Sequence, residues 1–124
     1  MTVDDVSQNQ DQATSLIPSE REKLFKLAEE TFESCLVIMK AKNHDYSHSS
    51  DPYGNFKASK VLGVHPIIGI LMRCMDKFKR IETFVKNGEL KVKGESVDDA
   101  FEDVINYMIL AKGMVHEETS TITG

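Results

Sequence analysis

Residues Ser96 to His116 read SVDDAFEDVINYMILAKGMVH. At about 100° per residue, Val97, Ala100, Phe101, Val104, Met108 and Ala111 fall on one broad helical face. Asp99, Asp103 and Asn106 gather on the opposite side, with Glu102 at their edge. Tyr107 and Leu110 lie beside them, so this polar side is partly covered. Acids under partial cover need partners, either cationic side chains or a metal ion. Ser96 with Asp99 three residues on reads as a capping box at the helix start. The pattern predicts a helix to about His116 and a frayed tail over 117–124.

Working outward, His65-Pro66 opens an earlier helix, with Pro66 in its first turn. Asn87-Gly88 ends it. Its apolar side is predicted to carry Ile67, Leu71, Cys74, Phe78, Ile81 and Val85. Arg73, Asp76 and Arg80 share the other side with Lys77. Asp76 and Arg80 are four apart, the spacing of a surface ion pair. The same arginines suit phosphate oxygens, which a guanidinium fork takes bidentately. Gly69 lies one turn before Arg73. A mid-helix glycine costs about 1 kcal/mol against alanine, so close approach of a ligand or backbone is expected there. Residues 89–94 read as a short extended connector.

The first helix opens at Ser19-Glu20-Arg21-Glu22, a capping box, and is predicted to run to about Lys42. Leu24, Phe25, Leu27, Ala28, Phe32, Cys35, Leu36 and Met39 form its expected buried face. Glu29, Glu30 and Glu33 lie away from that stripe. They read either as an ExxE cation site or as solvated surface. Residues 1–18 are polar and read as a disordered segment. These boundaries predict an all-α bundle of three long helices plus a short one, over residues 19–116.

Between the first two long helices, Asn43 to Lys60 reads NHDYSHSSDPYGNFKASK. Asp-Pro, Tyr-Gly and the serine pair mark a loop, with a short helix from Asn55 and Asn43 as a helix stop. So long a loop in a small domain is usually functional. Tyr46, Tyr53 and Phe56 can stack on a base, and Asn43 or Asn55 can read its edge. His44 and His48 are four apart but lack the further ligands that zinc requires.

The whole chain is 124 residues with a net charge of −5. That suits one domain and has no basic block for duplex nucleic acid. No apolar run approaches about 18 residues, so no membrane span is expected. The start lacks the basic and apolar parts of a signal peptide. Cys35 and Cys74 each fall on an apolar side, as buried reduced thiols suited to a cytoplasm. Phosphate-loop, dinucleotide and zinc-protease motifs are absent.

Four stretches together carry a resemblance. They are Lys42-Asn-His-Asp-Tyr, Asp51-Pro-Tyr-Gly-Asn-Phe, Arg73-Cys-Met-Asp-Lys-Phe-Lys-Arg-Ile and Glu95-Ser-Val-Asp-Asp-Ala-Phe-Glu-Asp-Val-Ile-Asn-Tyr. They resemble the phage-enriched family called nucleotide modification associated domain 1. The layout is similar to the all-α NTP pyrophosphohydrolases, the MazG-like and dimeric dUTPase-like enzymes. The resemblance implies a Mg²⁺-dependent (or Mn²⁺-dependent) nucleotide pyrophosphohydrolase, a dimer or tetramer, in the host cytoplasm if phage-encoded. Asp76, Asp99 and Asp103 would hold the metal, and Asp103, Asp99 and Lys77 would be catalytic. Lys42, Asn43, Asp45, Tyr46, Asn55, Phe56, Arg73, Arg80 and Asn106 would bind substrate. Asp103→Asn would then abolish turnover with folding intact. The enzymes' ExxE followed by ExxD departs here to Glu30/Glu33 and a DxxN at Asp103 and Asn106. Asn106, where those enzymes place an acid, favours an alternative: a non-catalytic protein that sequesters a nucleotide, such as a host-defence signal.

Overall fold

The computed structural model describes residues 17–46, 51–90 and 96–123, without the side chains of 44–46 and 121–123. Helix α1 spans Glu20–Tyr46. A one-turn helix α2, Gly54–Lys57, runs into a 3-10 turn, Ala58–Leu62. Helix α3 covers Pro66–Asn87 and α4 covers Val97–Thr123. No strand occurs among the described residues, so the all-α class holds. No single helix there is long and apolar enough to cross a membrane. Internal contacts divide the chain into two units, Met1–Glu33 and Ser34–Gly124.

The helix ends follow the capping chemistry of the sequence. Ser19 Oγ accepts from the Glu22 amide at 3.2 Å, and Glu22 Oε2 accepts from the Ser19 amide at 3.3 Å. Ser96 and Asp99 repeat the exchange at 3.1 and 3.4 Å. His65 caps α3 with Nδ1 accepting from the Ile67 amide at 3.1 Å, and Pro66 takes the first turn. Gly88 closes α3 at φ 78°, a left-handed conformation natural to glycine.

Two ends run further than the sequence predicts. The first helix continues to Tyr46, so Asn43 is no stop. Its Nδ2 instead donates to the Pro52 carbonyl at 3.0 Å from within the helix. The last helix continues to Thr123, past the expected frayed tail. Glu117 bonds Lys57 at 3.1 Å and Glu118 bonds His65 at 2.7 Å, so these turns are anchored. Residues 47–50 and 91–95, with the expected connector over much of 89–94, lie outside the described residues.

The expected apolar faces are only partly the buried ones. Within residues 1–33, α1 is the only described element, so no other described element of that unit covers its stripe. Leu24, Phe25, Leu27 and Phe32 are accordingly exposed. The larger unit builds its core from Ile70, Cys74, Ala111 and Met114, with Tyr53, Phe56, Ile67, Val104, Tyr107 and Leu110 packed around them. Helices α3 and α4 pack on each other here. They are antiparallel: His65 meets Glu118 at one end and Lys77 meets Asp103 at the other.

The contact stripe on α3 is Pro66, Ile70, Cys74 and then half-buried Lys77. On α4 it is Met114, Ala111, then Tyr107 with Asn106, and then Asp103. Each stripe is apolar at one end and polar at the other. Leu71, Phe78 and Val85 on α3, Phe101 and Met108 on α4, and Leu36 on α1 were expected inside and are exposed. The reason lies in which side of each helix meets its neighbour. Helix α4 turns its polar side inward, so part of its apolar arc faces out. Cys35 and Cys74 are buried as expected, and burial pushes both thiols up, Cys35 with added repulsion from Glu102 and Asp103.

Candidate functional site

The inward polar side of α4 makes the site. Asp103 accepts from Lys42 Nζ at 3.2 Å through Oδ1 and from Lys77 Nζ at 3.0 Å through Oδ2. Burial pushes its carboxyl up, but the bonds from Lys77 and Lys42 and their charges outweigh this. The net result holds it below its ordinary value. One carboxylate thus ties α1, α3 and α4 together within residues 34–124.

Two cavities flank this triad and share Lys42 and Asp103 in their walls. The first, of about 260 Å³, is aromatic and amide-lined by Phe56, Tyr107, Asn43, Asn55, Asn106 and Arg73. Tyr107 meets the Phe56 ring edge-on, with centroids 6.5 Å apart. The Arg73 guanidinium lies over the Phe56 ring, 4.9 Å from its centre. A cation on an aromatic face is attracted by the ring quadrupole. The second cavity, of about 300 Å³, is charged: Lys42, Lys77, Arg80, Asp99, Asp103 and Ser96 line it. It lies beside the start of the long helix α4; Lys42 and Lys77 both bond Asp103, and Arg80 pairs with Asp76, which is not in its wall.

Asn106 is 7% exposed. Its Nδ2 donates to the Cys35 carbonyl at 3.0 Å, and its Oδ1 has no hydrogen-bond partner. The Nδ2 bond joins α4 to α1, and Oδ1 is buried.

Phe56 is presented by a clamp that local sequence spacing does not reveal. Asp51 accepts from the Tyr53 amide at 2.9 Å and from Lys57 Nζ at 2.8 Å. The Lys57 bond, and next the Tyr53 amide, hold the Asp51 carboxyl below its usual range; the same pairing, with Glu117, raises Lys57. Tyr53 reaches α4 at Gly113, where an added Cβ would fall on the Tyr53 hydroxyl. Gly113 is therefore the glycine of close approach. At Gly69, where that was expected, a Cβ would meet only Ser59 atoms at 3.6 and 3.7 Å, an ordinary contact. A mid-helix glycine at 113 was the available signal. The Lys57–Glu117 and His65–Glu118 pairs join residues far apart in sequence and left none.

The structure thus gathers Lys42, Asn43, Asn55, Phe56, Arg73, Asp103 and Asn106 at one cavity, and Lys77, Arg80 and Asp99 at the next. Asp76 joins neither; it is exposed and pairs with Arg80 at 3.3 Å. The side chains of His44, Asp45 and Tyr46, and all of His48, lie outside the described residues. Among the described residues no three His, Cys, Asp or Glu side chains gather as a metal site. Both Asp103 oxygens hold ammonium groups, and Asp99 Oδ2 faces the Ser96 amide. The described residues, as placed, do not fit a Mg²⁺ or Mn²⁺ ion. Glu29, Glu30 and Glu33 form no such site either; Glu30 lies 3.9 Å from Lys26.

The model of the family described as nucleotide modification associated domain 1 matches residues 42–113, more than half of the chain. No curated protein and no solved structure matches.

Proposed function

The chain belongs to the nucleotide modification associated domain 1 family, and from that premise we propose that it binds a nucleotide across its two adjoining cavities. The base enters the aromatic and amide cavity, against Phe56 and Tyr107. The phosphates enter the charged cavity, where Lys42, Lys77 and Arg80 supply the positive charge. The observation that carries this reading is the shared wall: Lys42 and Asp103 border both spaces. A nucleotide has this bipartite chemistry, a flat apolar ring joined to a polyanion. Each cavity is at or below the small end of ordinary ligand pockets, about 300 Å³, so each suits a part of the ligand. Asp103 acts as a positioning residue, holding both lysines at the seam.

A second reading is pyrophosphohydrolysis, favoured by Asp99 and Asp103 lying one turn apart in the charged cavity. Water oxygen would bond to the α phosphorus, the bond to the bridging oxygen would break, and pyrophosphate would leave. Lys77 and Arg80 would offset the charge that develops on the leaving group. A divalent cation would first have to displace Lys42 and Lys77 from Asp103.

One experiment separates the readings. The protein is incubated with canonical and modified dNTPs, with and without Mg²⁺ or Mn²⁺, and analysed by liquid chromatography and mass spectrometry. A nucleotide retained intact supports binding, and its retention should drop at least tenfold in Lys77→Ala. Monophosphate and pyrophosphate would support hydrolysis instead. Neither retention nor product would overturn both.

A further inference from the structure

Four cations line the two cavities: Lys42, Arg73, Lys77 and Arg80. Three of them meet a carboxylate. Lys42 and Lys77 both bond Asp103, and Arg80 pairs with Asp76. Arg73 differs. Its guanidinium lies over the Phe56 ring, 4.9 Å from its centre, and no carboxylate among the described residues pairs with it. This holds in a chain with 20 acidic side chains against 15 basic ones.

Arg73 and Phe56 line the same aromatic cavity. A ring face attracts the cation as a whole and takes up none of its N–H donors. The ring is itself held in place, since Lys57, the next residue, bonds Asp51 at 2.8 Å and Glu117 of α4 at 3.1 Å. Phe56 thus positions a guanidinium whose donors remain for another group. A fork of N–H donors with a full positive charge is matched by a pair of anionic oxygens. Asp103, the carboxylate in the wall of this cavity, is already bonded by Lys42 and Lys77.

The identity of that anion rests on the nucleotide-binding reading, in which the base enters this cavity. The phosphate nearest the base is then the one that Arg73 meets. Lys77 follows Arg73 by one turn of α3, about 6 Å along its axis, and lines the charged cavity. Later phosphates continue in that direction. We propose that Arg73 binds the α-phosphate at the aromatic cavity, so that a nucleoside 5′-monophosphate is a sufficient ligand and the charged cavity receives only the later phosphates.

The test is isothermal titration calorimetry on the full chain with the four common deoxynucleosides, their 5′-monophosphates and their triphosphates. For at least one base, the monophosphate should bind about tenfold or more tightly than the nucleoside. Where a nucleoside binds too weakly to detect, the detection limit stands for it. Arg73→Gln should shrink that gap to about threefold or less, with folding checked by circular dichroism. Arg73→Met takes its place if the glutamine variant does not fold. A gap under tenfold for every base, with triphosphates still bound, overturns the inference and leaves nucleotide binding standing. A gap that stays above threefold in the variant overturns it too. If neither monophosphates nor triphosphates bind, the nucleotide-binding reading falls and takes the inference with it.

Discussion

Asp103→Asn removes a charge from the point where three helices meet, and its cost can be worked from the exposure of its partners. Lys77 and Asp103 are 19% and 16% exposed in their side chains and bond at 3.0 Å. A hydrogen bond between charged groups is worth about 1.5–3 kcal/mol. Lys42 is 52% exposed, so its bond is screened and adds about 0–1 kcal/mol. Asparagine keeps one acceptor oxygen but leaves Lys77 without a counter-charge. The expected loss is about 2 kcal/mol at pH 7. With a urea slope of about 2 kcal/mol per molar, the midpoint falls by about 1 M.

The pH dependence has a definite sign. The Asp103 carboxyl is held below its ordinary value in the folded chain. Its contribution is therefore complete above the unfolded pKa of about 3.9 and lost as pH falls through the folded value. The gap between the two proteins should be constant from neutral pH down to about 5, then narrow below about 4. Urea unfolding followed by circular dichroism measures both. Equal midpoints at pH 7, or a gap that persists in acid, would refute the ion-triad reasoning. The sequence alone predicts that this variant stays folded, and a loss of about 2 kcal/mol is compatible with that, since domains are ordinarily stable by about 5–15 kcal/mol.

Gly113→Ala should lose stability by about 1 kcal/mol, although alanine would otherwise gain about that much in a helix, because its Cβ falls on the Tyr53 hydroxyl; thermal unfolding should show a smaller loss in a Tyr53→Phe background. Cys35 and Cys74, both buried and raised, should react with a thiol reagent only slowly in the native protein and at once in denaturant. Phe101 and Met108 on α4, and Met75 and Phe78 on α3, are large, apolar and exposed, so we expect self-association. Light scattering on a size-exclusion column should give a multiple of 14.0 kDa, and Phe101→Glu should lower it; a monomer at all concentrations would sink this expectation.

What the sequence made legible was local. Capping at Ser19 and Ser96, the Pro66 start and the Gly88 stop are each set by residues within one turn, and all four stand in the structure. The pairing of helix faces was less legible. An apolar arc as broad as that of α4 fixes no single contact line, because several rotations bury comparable area. Ala100, Ala111 and Met114 were buried, while Phe101 and Met108 were not. Residues of the candidate site were recognisable by type, and most of them do converge. Their grouping was not: Asp76 went to the surface while Lys42, from the first helix, reached Asp103. Such pairs join positions about sixty residues apart, which no periodicity reports.

The inward turn of the polar stripe explains both the site and the bare surface. Helix α4 contributes to the contact with α3 through residues that change from Met114 and Ala111 to Asn106 and Asp103 along its length. At the apolar end, packing alone stabilises the pair of helices. At the polar end, each group needs a partner or its burial is unfavourable. Lys77 and Lys42 meet Asp103 and the Cys35 carbonyl meets Asn106 Nδ2, which leaves Asn106 Oδ1 as the unmatched group. Had Phe101 and Met108 turned inward instead, the fold would hold a drier core and no cavity lined by amides and cations. Burying the polar stripe therefore leaves Phe101 and Met108 without cover, and those same side chains are the ones available to a second copy.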